Sequence, residues 1–131
     1  MNEIVEKIKR DIPDILSGNT EKLVEDARMM GEHLGKEGLT TSQIRNIFSD
    51  VKRLESYEKN KTELLLLRPK LAYVAGRHGK KRGRELTGAI VDLQVILDKC
   101  IEGIKDEKSF KNFQDFFEAI LAYHRYYGGK E

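Results

Sequence analysis

A run of 21 residues, from Leu64 to Arg84, carries seven basic side chains and no acidic one. The seven are Arg68, Lys70, Arg77, Lys80, Lys81, Arg82 and Arg84. Clustered Lys and Arg can neutralise several phosphates, and glycines among them let backbone N–H groups approach an anion closely. The pattern therefore favours binding of a polyanion, and the alternative is a solvated segment that only aids solubility.

Further basic side chains lie on a predicted helix upstream of this run. Arg45 and Lys52 are about 20° apart on a helical wheel, beside an apolar stripe, and Arg53 follows directly. The whole chain of 131 residues has a formal charge of only +2, yet the residues outside the run hold 17 basic and 22 acidic side chains. The small net charge is thus the sum of a basic segment and an acidic remainder of the chain. We expect the basic segment and these three cations to form one positively charged surface.

Other kinds of chemistry find no support in the sequence. Gly79-Lys80 lacks the Ser or Thr that follows the lysine of a nucleotide phosphate loop, and a helix rather than a strand precedes it. The three histidines lie in different predicted elements, and the single cysteine, Cys100, lies on an apolar helix stripe. We therefore expect no catalytic residues, no metal and no cofactor.

Nothing in the sequence indicates a membrane or an export signal. The longest uninterrupted apolar run, Leu64 to Leu67, is far shorter than the roughly 20 residues of a spanning helix. The N-terminus has no apolar stretch typical of a signal peptide, and one cysteine cannot form an internal disulfide. A cytoplasmic protein that does not contact membranes is expected.

The elements that must position the cations are predicted to be helices, because apolar residues recur at helical spacing and no alternation of period two is sustained. We predict an all-α fold, a compact bundle of five to six helices forming a single domain over residues 1–131. The predicted helices run from about Glu3 to Leu16, from a cap at Thr20 to Gly35, from Thr40 to Leu54, from a cap at Thr62 to Arg77, from Arg84 to Ile104 and from Ser109 to Tyr127. Pro69 is expected to kink or to break the fourth helix, and residues 76–84 are expected to form an exposed basic loop.

A different nucleic-acid interpretation remains open at this point. The second helix, the turn at 35–39 and the third helix resemble a helix-turn-helix, in which Ser42, Gln43, Arg45 and Asn46 would begin a recognition helix for double-stranded DNA. Near the other end of the chain, the phenylalanines from Phe110 to Phe117 are spaced as core residues. Tyr123, Tyr126 and Tyr127 at the end of the last helix are expected to be partly exposed, where they could stack on a base or on a partner protein.

Three segments carry a resemblance to a known family. They are residues 41–45 (TSQIR), 65–77 (LLLRPKLAYVAGR) and 117–129 (FEAILAYHRYYGG). They resemble the small subunit of the type III-A CRISPR effector, the Csm complex. The resemblance spans about residues 40–129, and the first 39 residues match only in being helical.

The resemblance implies a non-catalytic protein of antiviral defence whose copies stack head to tail beside the backbone subunits, along the guide RNA paired with target RNA. Its implied partners are the guide and target RNA, the backbone and large subunits, and further copies of itself. The predicted RNA-binding residues are Arg45, Lys52, Arg53, Arg68, Lys70, Arg77, Lys80, Lys81, Arg82 and Arg84. Of these, Arg45, Lys70 and Arg77 lie inside the family-like segments, whereas charge alone selects the others, and Arg68 could instead pair with an internal acid. A purely structural assembly subunit, whose basic and acidic surfaces meet in neighbouring copies, is a further alternative.

Overall fold

Six helices and one short hairpin make up the computed structural model, which describes residues 2–129. In chain order the elements are α1 (Glu3–Leu16), α2 (Thr20–Lys36), α3 (Thr41–Lys52), α4 (Lys61–His78), β1 (Lys80–Arg82), β2 (Glu85–Thr87), α5 (Ala89–Gly103) and α6 (Glu107–Tyr126). The predicted all-α bundle is confirmed, whereas the assignment of residues 1–131 to a single domain stays a prediction. Within residues 2–129 no helix combines the length and the apolar composition needed to cross a bilayer.

Helix α6 supplies the largest side chains of the hydrophobic core. Phe110, Phe113, Phe116 and Phe117 are all fully buried, which confirms their prediction as core residues. Burial of one such side chain stabilises the folded chain by roughly 1.5–3 kcal/mol. Helix α2 packs along α6, and α1 and α5 complete the layer around them. The core formed by these helices is continuous and also includes the inner faces of α3 and α4, so it can hold those two helices in a fixed relation.

Polar caps fix where the helices begin. The Thr40 hydroxyl accepts a hydrogen bond from the backbone N–H of Gln43, and the Gln43 side chain accepts one from the Thr40 N–H, which is a capping box at the start of α3. At α2 the cap is Asn19, whose side chain accepts from the Lys22 N–H at 3.1 Å. The predicted cap at Thr20 is therefore wrong by one residue. A cap of this kind contributes about 1 kcal/mol to helix stability.

Helix α4 passes through Pro69 without interruption, so of the two expectations for this proline, the break is wrong. Pro69 lies on the exposed side of the helix. The inner side, with Leu64, Leu67, Leu71 and Ala75, is buried, mainly against α5. The outer side exposes Leu65, Leu66 and Tyr73 by 60%, 61% and 67%. Helix α4 is therefore apolar on both sides but buried on only one.

The segment 76–84 is largely exposed, as predicted, but it does not form the predicted loop. Helix α4 continues to His78, and β1 then pairs with β2 as an antiparallel hairpin in which Lys80 faces Thr87 and Arg82 faces Glu85. Gly83, with φ +61°, occupies the first of the two turn positions, where a tight hairpin favours glycine. Because β2 occupies residues 85–87, α5 begins at Ala89 rather than near Arg84. Leu86, which falls within the predicted fifth helix, instead lies half-buried in β2.

Candidate nucleic-acid interface

A furrow runs between α3 and α4 and ends at the hairpin. Its upper part, called here the hairpin depression, has a volume of about 540 Å³ and is bounded by the hairpin, the α2–α3 turn and the start of α5. Its middle part, the α3–α4 depression, has a volume of about 360 Å³. Gln43 and His78 line both parts. The two depressions therefore adjoin, and together they form a concave track across this side of the molecule.

The hairpin brings two predicted cations to this furrow. Lys80 and Arg82 alternate with Lys81 along β1, so they share one side of the hairpin, and both line the hairpin depression. The side chains of Lys80, Lys81, Arg82 and Arg84 are exposed, and within residues 2–129 none of them forms an ion pair. Cations without an internal partner keep their charge available for an external anion.

The start of α5 opens into the same depression. Ala89 and Ile90 line it, and the capping residue Gly88 has no side chain that could accept from their N–H groups. A helix N-terminus carries a partial positive charge, because its first N–H groups lack partners within the helix. The backbone of α5 thus adds to the positive potential that Lys80 and Arg82 create, and the carboxylate of Glu37, which also lines the depression, opposes it.

Lower in the furrow, an acid holds two of the predicted cations. Asp50 of α3 accepts from Lys70 of α4 at 2.7 Å and from Arg53 at 3.2 Å. The Asp50 side chain is only 17% exposed, whereas those of Lys70 and Arg53 are 56% and 73% exposed. These two cations therefore extend from a half-buried carboxylate towards solvent, and any external anion competes with Asp50 for them.

Arg68 is engaged elsewhere. Its guanidinium donates to both carboxylate oxygens of Asp98 on α5, at 2.7 and 3.1 Å, and lies 3.6 Å from Glu102. The hydrogen bonds to Asp98 raise the pKa of Arg68 above its usual value. The expectation that Arg68 pairs with an internal acid is confirmed, and this pair fastens α4 to α5.

Arg45 and Lys52 do not line the furrow. Helical spacing places Gln43, Asn46 and Asp50 on the α4 side of α3 and places Arg45 and Lys52 on the other side. There the Lys52 ammonium lies 6.0 Å from the Phe48 ring centre, and Phe48 packs edge-on against Phe117 of α6 at 5.2 Å. Both cations are exposed, as is Arg77 on α4. The ten predicted residues are therefore spread over more than one surface.

Gln43 and Asn46 line the furrow but were not among the predicted RNA-binding residues. Gln43 and Asn46 appeared only in the helix-turn-helix interpretation, and the furrow itself could not be inferred before α4 and the hairpin were placed beside α3. The side chain of Gln43 belongs to the capping box of α3, whereas within residues 2–129 that of Asn46 has no hydrogen-bond partner. In the sequence, the feature that could have indicated these two residues is their spacing, which places two amide side chains one helical turn apart.

The family-like segments 41–45 and 117–129 meet in the structure. The buried His124 ring donates from Nε2 to the Leu39 carbonyl at 2.6 Å, and the Thr41 hydroxyl donates to the Gly129 carbonyl at 3.4 Å. Gly129 lies directly against the His124 ring, and a Cβ atom at this position would overlap the ring. These segments therefore hold the end of α6 to the start of α3.

Other polar and reactive groups serve the packing. The His33 ring donates to Asp92 at 2.7 Å and joins α2 to α5. Cys100 is fully buried, and burial raises the pKa of its thiol, which disfavours the reactive thiolate. Over residues 2–129, no three His, Cys, Asp or Glu side chains come together as metal ligands.

Comparisons with known proteins agree with the resemblance seen in the sequence. The family model described as Csm2 Type III-A matches residues 17–130, so the similarity begins earlier than the 40–129 expected from the motifs. The CRISPR system Cms protein Csm2 of Streptococcus thermophilus is 32% identical over 106 residues, covering 76% of this chain and 82% of that protein. The protein of the same name from Enterococcus italicus is 25% identical over 118 residues, covering 81% and 84%. No solved structure matches the chain. The chain belongs to the Csm2 family and is a small subunit of the type III-A CRISPR effector, the Csm complex.

Proposed function

We propose that this small subunit is a non-catalytic protein that binds RNA through the phosphate backbone, in a cytoplasmic complex that pairs guide RNA with target RNA. The observation that carries the proposal is the hairpin depression. Lys80 and Arg82 line it without internal ion pairs, and the uncapped start of α5 adds its N–H groups. Contacts of this kind position a nucleic-acid strand without reading its sequence, which suits a subunit that must accept any guide.

The remaining predicted cations take different parts in this proposal. Arg53 and Lys70 extend the track along the furrow, and Lys81, Arg84 and Arg77 surround its upper end. Arg45 and Lys52 would contact a second segment of the strand or a neighbouring subunit. Arg68 serves chiefly to hold α4 on α5, because its guanidinium is already paired with Asp98.

The proposed binding is weak for one copy and strong for a row of copies. Only a few phosphate contacts per subunit are available in the furrow, and each contributes modestly at physiological salt. If copies stack head to tail beside the backbone subunits, one strand engages many furrows, and its effective concentration at each successive furrow rises. Affinity then grows steeply with the number of stacked copies.

The test is a charge reversal in the hairpin, Lys80→Glu with Arg82→Glu, in the full chain. We expect the affinity for a single-stranded RNA oligonucleotide, measured by fluorescence anisotropy, to fall about tenfold or more. We also expect the slope of log K against log salt to shrink by about 0.7 for each phosphate that the variant no longer neutralises. The matched control is Lys9→Glu with Arg10→Glu on α1, which makes the same change in net charge away from the furrow. Equal losses of affinity in the two double variants would reduce the effect to net charge alone and reject the proposal.

The geometry gives less support to the helix-turn-helix alternative. A recognition helix must protrude to enter a major groove about 12 Å wide. Here Gln43 and Asn46 line a concave furrow whose other walls are α4 and the hairpin. Tight binding of the full chain to one DNA duplex sequence, with a small salt dependence, would favour this alternative.

The purely structural alternative is favoured by one observation, the exposed apolar side of α4. Charge reversal separates it from RNA binding when complexes are reconstituted with the other subunits. Arg45→Glu with Lys52→Glu is compared with the hairpin reversal, and both assembly and RNA crosslinking per assembled copy are measured. If the variants assemble poorly but crosslink normally once assembled, the subunit is a scaffold.

A further inference from the structure

The α3–α4 depression has a composition different from that of the basic hairpin depression beside it. Its floor is aliphatic and consists of Ile47, Leu67, Leu71 and Val74. Its rim is polar, with Gln43, Asn46 and the carboxylate Asp50 on α3, and Lys70 and His78 on α4. The volume of about 360 Å³ lies at the lower end of the range, about 300–1,000 Å³, typical of small-ligand sites. A phosphate backbone alone would gain nothing from an apolar floor.

The NH₂ groups of the two rim amides are free, among residues 2–129, to donate hydrogen bonds to a ligand. The Gln43 oxygen accepts from the Thr40 N–H at 3.0 Å in the capping box. That bond fixes the side chain and leaves its NH₂ group without a partner among residues 2–129. Asn46, one turn further along α3, offers both a donor and an acceptor. Amide side chains of Asn and Gln match the donor and acceptor pattern on the edge of a base.

Cations lie next to this depression at both ends. Lys80 and Arg82 line the hairpin depression, which shares Gln43 and His78 with it. At the other end, Lys70 and Arg53 reach solvent from Asp50. A flat, partly apolar group seated on the floor would therefore have cations on either side for the two phosphates that flank it.

We propose that the α3–α4 depression holds one unstacked nucleobase of a single-stranded RNA segment, with Gln43 and Asn46 bonding to its edge. Its flanking phosphates lie towards Lys80 and Arg82 at one end and towards Lys70 and Arg53 at the other. Single-stranded RNA is commonly recognised through bases that are splayed out of the stack in this way. The inference rests on the proposed RNA binding and goes beyond it, because contact with the backbone alone requires no pocket for a base.

The experiment compares two probes of equal length and charge, a uridine oligonucleotide and the same ribose-phosphate backbone without bases, on the full chain. We expect the oligonucleotide with bases to bind about fivefold more tightly, roughly the effect of one net hydrogen bond. Val74→Phe, which fills the depression, and Asn46→Ala, which removes the free amide, are expected to abolish this difference. The matched control Ala72→Phe places the same ring on the exposed side of α4 and should preserve it.

The outcomes separate this inference from the proposed function. If both probes bind equally and the hairpin reversal weakens both, the base site is rejected while backbone binding stands. If neither probe binds, both proposals fail. A preference for bases that survives Asn46→Ala and Val74→Phe would place the base elsewhere and also overturn the inference. Asn46 is exposed on α3, so Asn46→Ala keeps the test decisive even if Val74→Phe perturbs folding.

Discussion

Among the described residues, the acidic side chains Glu37 and Asp50 line the furrow and oppose anion binding there. Asp50 does so most directly. It is an acid among predicted RNA-binding cations, and its carboxylate holds both Lys70 and Arg53. Ion pairs whose cations reach solvent, as these do, contribute little to stability, about 0–1 kcal/mol. Asp50 has a greater effect on anion binding than on stability, because its negative charge offsets the charges of Lys70 and Arg53 where a phosphate would bind.

Replacing Asp50 with Asn should therefore tighten RNA binding. The amide keeps the shape of the side chain, removes one negative charge and leaves Lys70 and Arg53 free for phosphates. We expect the affinity for an RNA oligonucleotide to rise several-fold at low salt and the gain to shrink at high salt, because mobile ions screen the interaction. Fluorescence anisotropy over a salt series measures both effects. Asp115→Asn on α6 is the control, and weaker binding by Asp50→Asn would show instead that Asp50 positions the two cations for RNA.

Gly129 shows that a family-like motif can serve packing rather than binding. A Cβ atom at this position would overlap the His124 ring, which is itself held by the Leu39 carbonyl. We expect Gly129→Ala to lower the free energy of unfolding by about 1–3 kcal/mol, as overpacking typically does. Urea denaturation measures this decrease.

The control for Gly129→Ala is Gly76→Ala on α4, where an added Cβ meets nothing within 4 Å. Alanine in a helix interior is more stable than glycine by roughly 0.5–1 kcal/mol, so this variant should be slightly stabilised. If the urea midpoint of Gly129→Ala matches that of the parent chain, then His124 has room to move, and the proposed locking of α6 to α3 is wrong.

At the scale of elements, α1 and α2 are joined by a buried carboxylate. Lys7 of α1 donates to Asp26 of α2 at 2.8 Å and to Asp11 at 2.9 Å, and Lys22 lies 3.6 Å from Asp11. Burial raises the pKa of Asp26 to about 6, although the Lys7 ammonium opposes the rise. The pKa of Asp11 is lowered and that of Lys7 is raised. Between pH 4 and 7, Asp26 is therefore the member of this cluster that titrates.

This shift predicts how the α1–α2 contact depends on pH. Between the unfolded pKa of 3.8 and the folded pKa of about 6, the folded chain binds more protons at Asp26 than the unfolded chain, so stability falls as pH rises. Compared with Asp26→Asn, the parent chain should lose up to about 3 kcal/mol of unfolding free energy between pH 4 and pH 7. Urea denaturation of both proteins across this range tests it. A constant difference between the two would mean that Asp26 does not titrate in this window.

The helices could be predicted from sequence better than the site. Apolar spacing located six helices, because their inner faces meet one continuous core. The hairpin could not be predicted, because Lys80-Lys81-Arg82 shows no alternation of apolar and polar residues. Gly83, in the turn, is the one residue there that indicates a pair of strands. The partners Lys70–Asp50 and Arg68–Asp98 are separated by 20 and 30 residues, so only tertiary packing brings them together. The furrow depends on the same packing, because its walls come from α3, α4 and the hairpin.

At the scale of the whole molecule, two exposed surfaces of residues 2–129 differ in kind. One is the furrow with its solvent-exposed cations, and the other is the outer side of α4, where Leu65, Leu66 and Tyr73 are exposed beside Ala72 and Gly76. Large apolar side chains exposed together on one side of a helix are typical of an interaction site. Because the chain is a subunit of a complex, we expect the α4 surface to be covered by a neighbouring subunit while the furrow stays open to RNA.

This division of surfaces predicts that assembly and RNA binding can be separated. Leu65→Gln with Tyr73→Gln changes only exposed side chains, so the free chain should keep its stability and its affinity for RNA. In complexes reconstituted with the other Csm subunits, the number of copies incorporated, measured by native mass spectrometry, should fall clearly. The control is Val24→Gln, which alters an exposed hydrophobic side chain on α2 (44% exposed). Normal incorporation of the α4 variant, or an equal decrease in the control, would mean that the apolar side of α4 faces solvent in the complex and that another surface holds the subunit in place.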